Sequence, residues 1–481
     1  MPEHFIGIDV GTTATKAVVL TERGVPIRRT RVRHAVELPI DSGRVDPLSW
    51  WASVQEACRE LDAADLELAG IGLSIHCPVG VPMDDDGGHL SAGYRFEAPG
   101  LQDITRSLIA RLSPEEVTRL GNRVTPATFM AAAYLLIQAE EPEIARNLRF
   151  LGSVGTYIGH RLTGEWAMDP TQASYFGCFD LTGDWTWEEA LAERLGIPAG
   201  VLPPVRASLS TLGTLTTTAA LALGLQPHTP VVVGGGDTAC AAFAAGIEKD
   251  QARLFSLGTT HVITEHGFAP TTDGLHLQRS YLRPGQWLRH GVCNGGLALS
   301  VAARMLGYGT GSDAVQALVD RAMAADVGAI QRAPWFIPHV RTERGPFWIG
   351  SPRAGFVGMT ADTDEDAAAW AAVEGVLFTD RLVLESFSSS STRNVVLAGD
   401  VRAGGAFAQL ASDLCAVPMS VSNESHLPAV GAALLAAEGV GSLLSFEQNL
   451  ERFKPRPELG RLIESRWNGF TDARTQFLRQ A

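Results

Sequence analysis

Two short stretches about half a chain apart share one pattern. Phe5–Val10 is an apolar run that enters D-V-G-T-T-A-T-K (Asp9–Lys16), and Ala17–Leu20 is apolar again. Leu254–Ile263 reads L-F-S-L-G-T-T-H-V-I. Each predicts two antiparallel strands joined at a Gly-Thr-Thr turn. Opening both halves with the same hairpin constrains the chain to a duplicated architecture. At 481 residues it is also too long for one core. Two large units are expected, 1–246 and 247–440, with 441–481 as a helical tail packed on the second. The hairpin tips expose backbone N–H groups and hydroxyls, so Gly11, Thr12, Thr13, Gly258, Thr259 and Thr260 suit phosphate oxygens, helped in the first copy by Lys16. Asp9, ending the first strand, faces the same space and could hold Mg²⁺ through water. Taken singly, the first copy can also be read as an ordinary hairpin with Thr in turn positions. Together, one from each half would clamp a nucleotide in a shared cleft.

Near the midpoint, Val231–Gly246 reads V-V-V-G-G-G-D-T-A-C-A-A-F-A-A-G. A buried strand led in by Pro230 runs into three glycines, then Asp237, then an Ala-rich helix. A carboxylate at a strand end and helix start is favoured in its ionised form by the helix dipole. Such a group suits a general base, and equally an N-cap. Between the hairpins, helical and strand-like patterns alternate: Pro47–Leu61 and Thr128–Ala139 predict helices, and Ala69–Ser74 a strand leading to His76. His76 could reach a polar ligand or sit satisfied in the core. Further on, Phe336–Pro346 reads as a polar loop holding Glu343 and Arg344 as an ion pair. Asp364–Phe387 is a long helix, Val395–Ala398 a strand, and Val430–Ala437 a small-residue helix.

Other chemistries are excluded. Net charge is −14, and Lys16, Lys249 and Lys454 are the only lysines, so no basic stripe for nucleic acid exists. No apolar run is long enough to span a membrane, and the N-terminus lacks a signal-peptide pattern. Six scattered cysteines without a C-x-x-C argue against disulfides or a Cys-based zinc site and for a reducing, cytoplasmic setting. Walker, Rossmann and H-E-x-x-H motifs are absent. If the chain self-associates, a homodimer is the commonest arrangement.

These features in this order resemble the FGGY family of carbohydrate kinases, and within it the xylulokinase branch, over nearly the whole chain. Asp9–Lys16 and Ser256–Thr260 match the family's two phosphate motifs, and Gly234–Asp237 the segment with the catalytic base. Pro338, Glu343-Arg344 and Pro346 match its P-x-x-x-x-E-R-x-P stretch. Leu397-Ala398-Gly399 with Gln409 and Asp413 matches the adenosine segment, and Gly431-Ala432-Ala433 the closing helix. The resemblance implies an α/β, two-domain actin-like (RNase H-like) ATPase fold with a central cleft, sugar on the first domain and ATP on the second. It implies that Asp237 takes the proton of a sugar hydroxyl as that hydroxyl attacks the γ-phosphate of ATP, and that Asp9 helps hold Mg²⁺. His76, Glu97, Gly236 and Asp237 would meet the sugar, and Gly399, Asp400, Val401 and Gly404 the adenosine.

There are departures. The family's G-Q-M-H-G is Leu73-Ser74-Ile75-His76-Cys77 here, keeping only the His. Its W-N-D aligns with Phe96-Glu97-Ala98, and two glycines of the adenosine motif are Asp400 and Val401. Loss of hydroxyl-binding groups changes specificity strongly. The expected activity is therefore phosphorylation of a terminal hydroxyl on a ketose, a xylulose-like pentulose first, or on a related polyol. Two rivals stay open at this point: a non-catalytic sugar- or nucleotide-binding regulator on the same scaffold, and an actin-like ATPase acting on a protein partner.

Overall fold

The computed structural model describes residues 3–35, 38–39, 42–387, 394–399 and 404–479. The first hairpin forms strands β1 (His4–Val10) and β2 (Ala14–Thr21), and the chain returns as β3 (Pro26–Arg33). With β4 (Leu68–Ile75), β5 (Thr211–Thr214) and β6 (Pro230–Gly236) they make one sheet, in the order β3-β2-β1-β4-β6-β5. Strands β1, β4 and β6 are parallel, and their flanking neighbours are antiparallel.

The second half repeats this scheme. Its strands are β7 (Arg253–Leu257), β8 (His261–Gly267), β9 (Leu277–Ser280), β10 (Trp287–Cys293), β11 (Val395–Gly399), β12 (Met419–Ser422) and β13 (Leu450–Phe453). Their order is β9-β10-β8-β7-β11-β12-β13, with β7, β11 and β12 parallel. From β10 to β13 each neighbour and direction matches the first sheet, and β9 is an added edge strand. Both sheets thus carry the doubled pattern that the two Gly-Thr-Thr turns announced.

Burial explains why each strand stays where it is. Ile6, Ile8 and Val10 alternate on one face of β1 and pack against Trp50, Val54 and Ala57 of α1 (Pro47–Glu60). Asp46 caps that helix by accepting from Leu48 N. Gly7 and Asp9 occupy the opposite face. There α2 (Asp237–Ala244) and α5 (Leu427–Gly439) cross between the halves, after α3 (Gly295–Met305) and α4 (Glu365–Ser386) have built the second half. Helix α5 lies flat on the first sheet: a Cβ at Gly7 would stand 1.8 Å from Ala429 O, and one at Gly72 2.0 Å from Ala432 O. Helix α4, capped by Asp364 on Ala367 N, buries Trp370, Leu377 and Phe378 in the second core. The last helix, α6 (Gly460–Arg479), sets Trp467 edge-on and Phe470 tilted against Phe378 and donates from Arg466 Nε to Glu374 Oε1 at 2.9 Å.

The stretch read as a loop at Phe336–Pro346 differs. Trp335–His339 is a strand paired with Arg353–Val357, and Phe336 and Ile337 are fully buried. Nor do Glu343 and Arg344 pair with each other: Glu343 is buried and accepts from Asn294 Nδ2 at 2.9 Å. All six cysteines are free. Among the described residues no helix is long and apolar enough to cross a membrane.

The halves meet across a cleft and are tied along β9 and β10. Asn122 donates to Gln278 O (2.7 Å) and accepts from Gln278 N (2.8 Å). Ser280 N donates to Ser174 Oγ at 3.0 Å, and Trp287 Nε1 to Leu181 O at 2.8 Å. Within the second half, Arg283 bridges Glu248 and Glu438.

Candidate active site

The three parallel strands of the first sheet end together, because Asp9 lies beside Ser74 on β4 and Ser74 beside Gly235 on β6. Ligand sites in open α/β sheets form at such carboxyl ends. Asp9 is 4 % exposed and accepts from Ser74 Oγ at 2.8 Å. Burial, then the like charge of Asp237, push its carboxyl up to about 7, while Lys16 across the hairpin and Ser74 pull the other way. Lys16 Nζ donates to Ser425 O at 3.3 Å. The first turn is open at Thr12 and Thr13, and His34 buttresses it, its Nε2 2.9 Å from Gly11 O.

Asp237 is the first residue of α2 and follows Gly236, which holds the N-cap position. Its Oδ1 accepts from its neighbour Thr238 (N at 2.6 Å, Oγ1 at 3.2 Å), and Oδ2 is unengaged among the described residues. Asp237 therefore does not cap α2, and its carboxylate lies in the first turn of the helix. The strand end beneath it is held from the side: Gly236 N donates to Thr171 Oγ1 at 2.7 Å, and Thr171 donates to Asp169. Asp169 caps the helical turn Pro170–Ala173, and burial raises its carboxyl to about 6.

Beside this line stands His76, 3 % exposed, its Nδ1 2.9 Å from Val10 O and its ring edge-on to Trp50. Desolvation lowers it to about 4, against the pull of the Val10 carbonyl and of Asp237, so the ring is neutral and Nε2 has no partner among the described residues. Gln172 Nε2 holds Ile75 O at 3.2 Å, and its Oε1 is buried without a donor. Arg279, on β9 of the other half, comes in against Tyr175, its guanidinium carbon 4.5 Å from the ring centre. A Cβ on Gly236 would be 2.5 Å from Arg279 Nη1. Asp169, Thr171, Gln172, Tyr175 and Arg279 carry no motif in the sequence. The first four form one local segment, and only the meeting of the two halves brings Arg279 to it.

On the second sheet, the turn Gly258-Thr259-Thr260 is exposed and anchored on α3, Gly296 N donating to Gly258 O (3.0 Å) and Leu297 N to Thr259 O (2.8 Å). Behind it, His261 Nδ1 lies 2.9 Å from Asp380 on α4. Thr259 and Thr260 share a groove of about 710 Å³ with Glu97, Asn294 and Arg344. Glu97 is exposed at that groove, where its charge acts on Arg344. Gly399 pairs with Leu257, one residue before Gly258, and Gly404 starts the helix Gly404–Cys415. Asp400 and Val401 lie outside the described residues. Gln409 donates to Asp413, which also holds Arg456.

The chain is similar to known proteins over nearly its whole length. The xylulose kinase of Escherichia coli K12 is 26% identical over 90% of this chain and 89% of its own. The L-fuculokinase of the same organism is 24% identical over 93% and 94%. The crystal structure of a xylulose kinase from Rhodospirillum rubrum superposes with a TM-score of 0.86 at 25% identity, covering 98% of both chains. The fold is thus the two-domain, actin-like ATPase fold. The N-terminal domain of the FGGY family of carbohydrate kinases matches residues 4–244 and its C-terminal domain 252–439. With both domains present in order, this chain belongs to the FGGY family of carbohydrate kinases, phosphotransferases that use ATP to phosphorylate sugar hydroxyls.

Proposed function

We propose that Asp237 is the general base, and that the acceptor lies between Asp237, His76 and Gly236 on the first half. The observation carrying this is the placement of Asp237: on a strand end braced by Thr171, with one oxygen unengaged and His76 and Asp9 close enough to feel its charge. Gly11, Thr12, Thr13 and Lys16 on one side, and Gly258, Thr259 and Thr260 on the other, offer N–H, hydroxyl and ammonium donors for the ATP phosphates. Gly399 and Gly404 border the adenosine region, with Asp400 and Val401 between them in sequence. Phosphoryl transfer needs little more than positioning, charge neutralisation and a base. The ties across the cleft would keep competing water out while the halves are closed.

Asp9 fits the Mg²⁺ that such kinases generally use. It is a buried carboxylate, driven toward protonation by burial and by Asp237, with one oxygen already fixed by Ser74. A cation held there through water would supply the missing positive charge and neutralise phosphate oxygens.

The acceptor class supported is a ketose or related polyol, phosphorylated on a terminal hydroxyl, and a xylulose-like pentulose is the first compound to assay. Release of ADP, measured across ketoses, polyols and cyclitols, tests this. Acceptor-dependent release is expected, and Asp237→Ala is expected to lower kcat by roughly 10²–10⁴-fold. Near-wild-type turnover in that variant would remove the base assignment.

A further inference from the structure

Arg279 carries a full charge where a neutral sugar would not require one. It is 6 % exposed, and its Nε and Nη1 reach no acceptor among the described residues. Its surroundings belong to the acceptor side of the cleft: the Tyr175 ring, Cys77, Gly236 and the Asp237 carboxylate, which acts on its charge without closing an ion pair. Arg344, from the same half, feels Arg279 as a repelling neighbour and acts on the same Tyr175 and Cys77. On the register of β9 and β10, Arg279 lies opposite Leu288 and His290 opposite Leu277, so Arg279 and His290 share one face. His290 Nε2 is likewise buried and unpartnered, as are His76 Nε2 and Gln172 Oε1.

Burying a guanidinium with two of its nitrogens unmet and no closed ion pair is unfavourable, and a second one beside it adds repulsion. The hydroxyls of a polyol satisfy N–H donors but form no ion pair, and neither Asp237 acting on Arg279 nor Glu97 acting on Arg344 closes one. A carboxylate answers both charges, because its two oxygens match the guanidinium fork. The ATP phosphates are the other candidate anion. The hairpin residues that would hold them are not among the groups around Arg279, whereas Thr171, Gln172 and Tyr175 are. A dianionic phosphate on the acceptor would also face Asp169 and Asp237, which surround the same guanidinium.

We propose, resting on the reading of this cleft as a sugar-phosphorylating site, that the acceptor is a sugar acid whose carboxylate is held by Arg279, with Arg344 completing the positive wall. The carboxylate is a handle and is unchanged in the reaction. The acceptor hydroxyl oxygen forms the new bond to the γ-phosphorus, the bond from that phosphorus to the β,γ-bridging oxygen breaks, the hydroxyl proton passes to Asp237, and ADP leaves.

The test is ADP release with matched acceptors: D-xylonate against D-xylulose, D-gluconate and 2-keto-D-gluconate against D-fructose, and D-fructose 6-phosphate as the phosphate arm. A sugar acid is expected to exceed its neutral partner by at least about 10²-fold in kcat/KM. In Arg279→Gln this preference is expected to fall by a similar factor, through KM, with Arg279→Lys between the two. Binding of the acids without ATP, followed by calorimetry, should weaken in parallel in a variant whose circular dichroism is native. Preference for the neutral ketose or the sugar phosphate overturns the proposal while leaving the kinase reading intact. So does an Arg279→Gln loss confined to kcat and equal for all acceptors, which would place the guanidinium on the transferred phosphoryl group. If no acceptor of any kind raises ADP release although MgATP binds, both readings fall.

Discussion

Asp169, buried behind the strand end that carries Asp237, leaves a measurable mark on stability. Asp169 accepts from Thr171 Oγ1 and Gln172 N, yet burial outweighs those bonds and its carboxyl rises from 3.8 to about 6. Between these values the folded protein keeps a proton that the unfolded chain has released. The stabilising contribution is therefore complete below the unfolded value and lost as pH rises through about 6. Asp169→Asn keeps an acceptor for both donors and removes the titration. It is expected to flatten that part of the pH dependence, by on the order of 1–3 kcal/mol between about pH 4 and pH 7. Urea unfolding midpoints of the two proteins across that range check it, and parallel curves would contradict the assignment.

At the scale of elements, close approach of backbones decides what is tolerated. Gly72→Ala would drive a methyl into Ala432 O beneath α5, where neither sheet nor helix can yield alone. A loss of roughly 1–3 kcal/mol is expected, read as a lower denaturant midpoint at unchanged slope. Gly296 poses the same problem at a functional place, since a Cβ there would stand 2.3 Å from Gly258 O. Gly296→Ala should displace the second turn and raise KM for ATP well before it affects folding, which steady-state kinetics beside a thermal melt will separate. What was legible in the chain follows this division. Gly-Thr-Thr between apolar strands and Gly-Gly-Gly-Asp before an Ala-rich helix are local signals, and the hairpins and Asp237 follow from them. The strand Trp335–His339 escaped because Pro338 and the polar residues after it read as a loop, while its burial comes from the packing of Phe336 and Ile337 in the second core. Arg279 escaped for a similar reason: in Leu277–Ser280 nothing marks one residue of four, and only a partner surface from the other half buries it.

Across the whole molecule, the reciprocal pair between Asn122 and Gln278 is the simplest handle on closure, since it joins the halves one residue from Arg279. Asn122→Ala removes two buried hydrogen bonds. It is expected to raise the acceptor KM by roughly 5–30-fold and to increase ATP hydrolysis without acceptor. Small-angle scattering in the presence of nucleotide should show a larger radius of gyration, and unaltered kinetics would mean that this contact does not govern closing. Helix α5 has a different consequence. It is made almost last, yet it roofs the sheet that is made first, with Gly7 and Gly72 shaped to receive it. On the ribosome the opening sheet must wait, one side bare, through hundreds of residues of synthesis, so the two lobes mature as a single event rather than in turn.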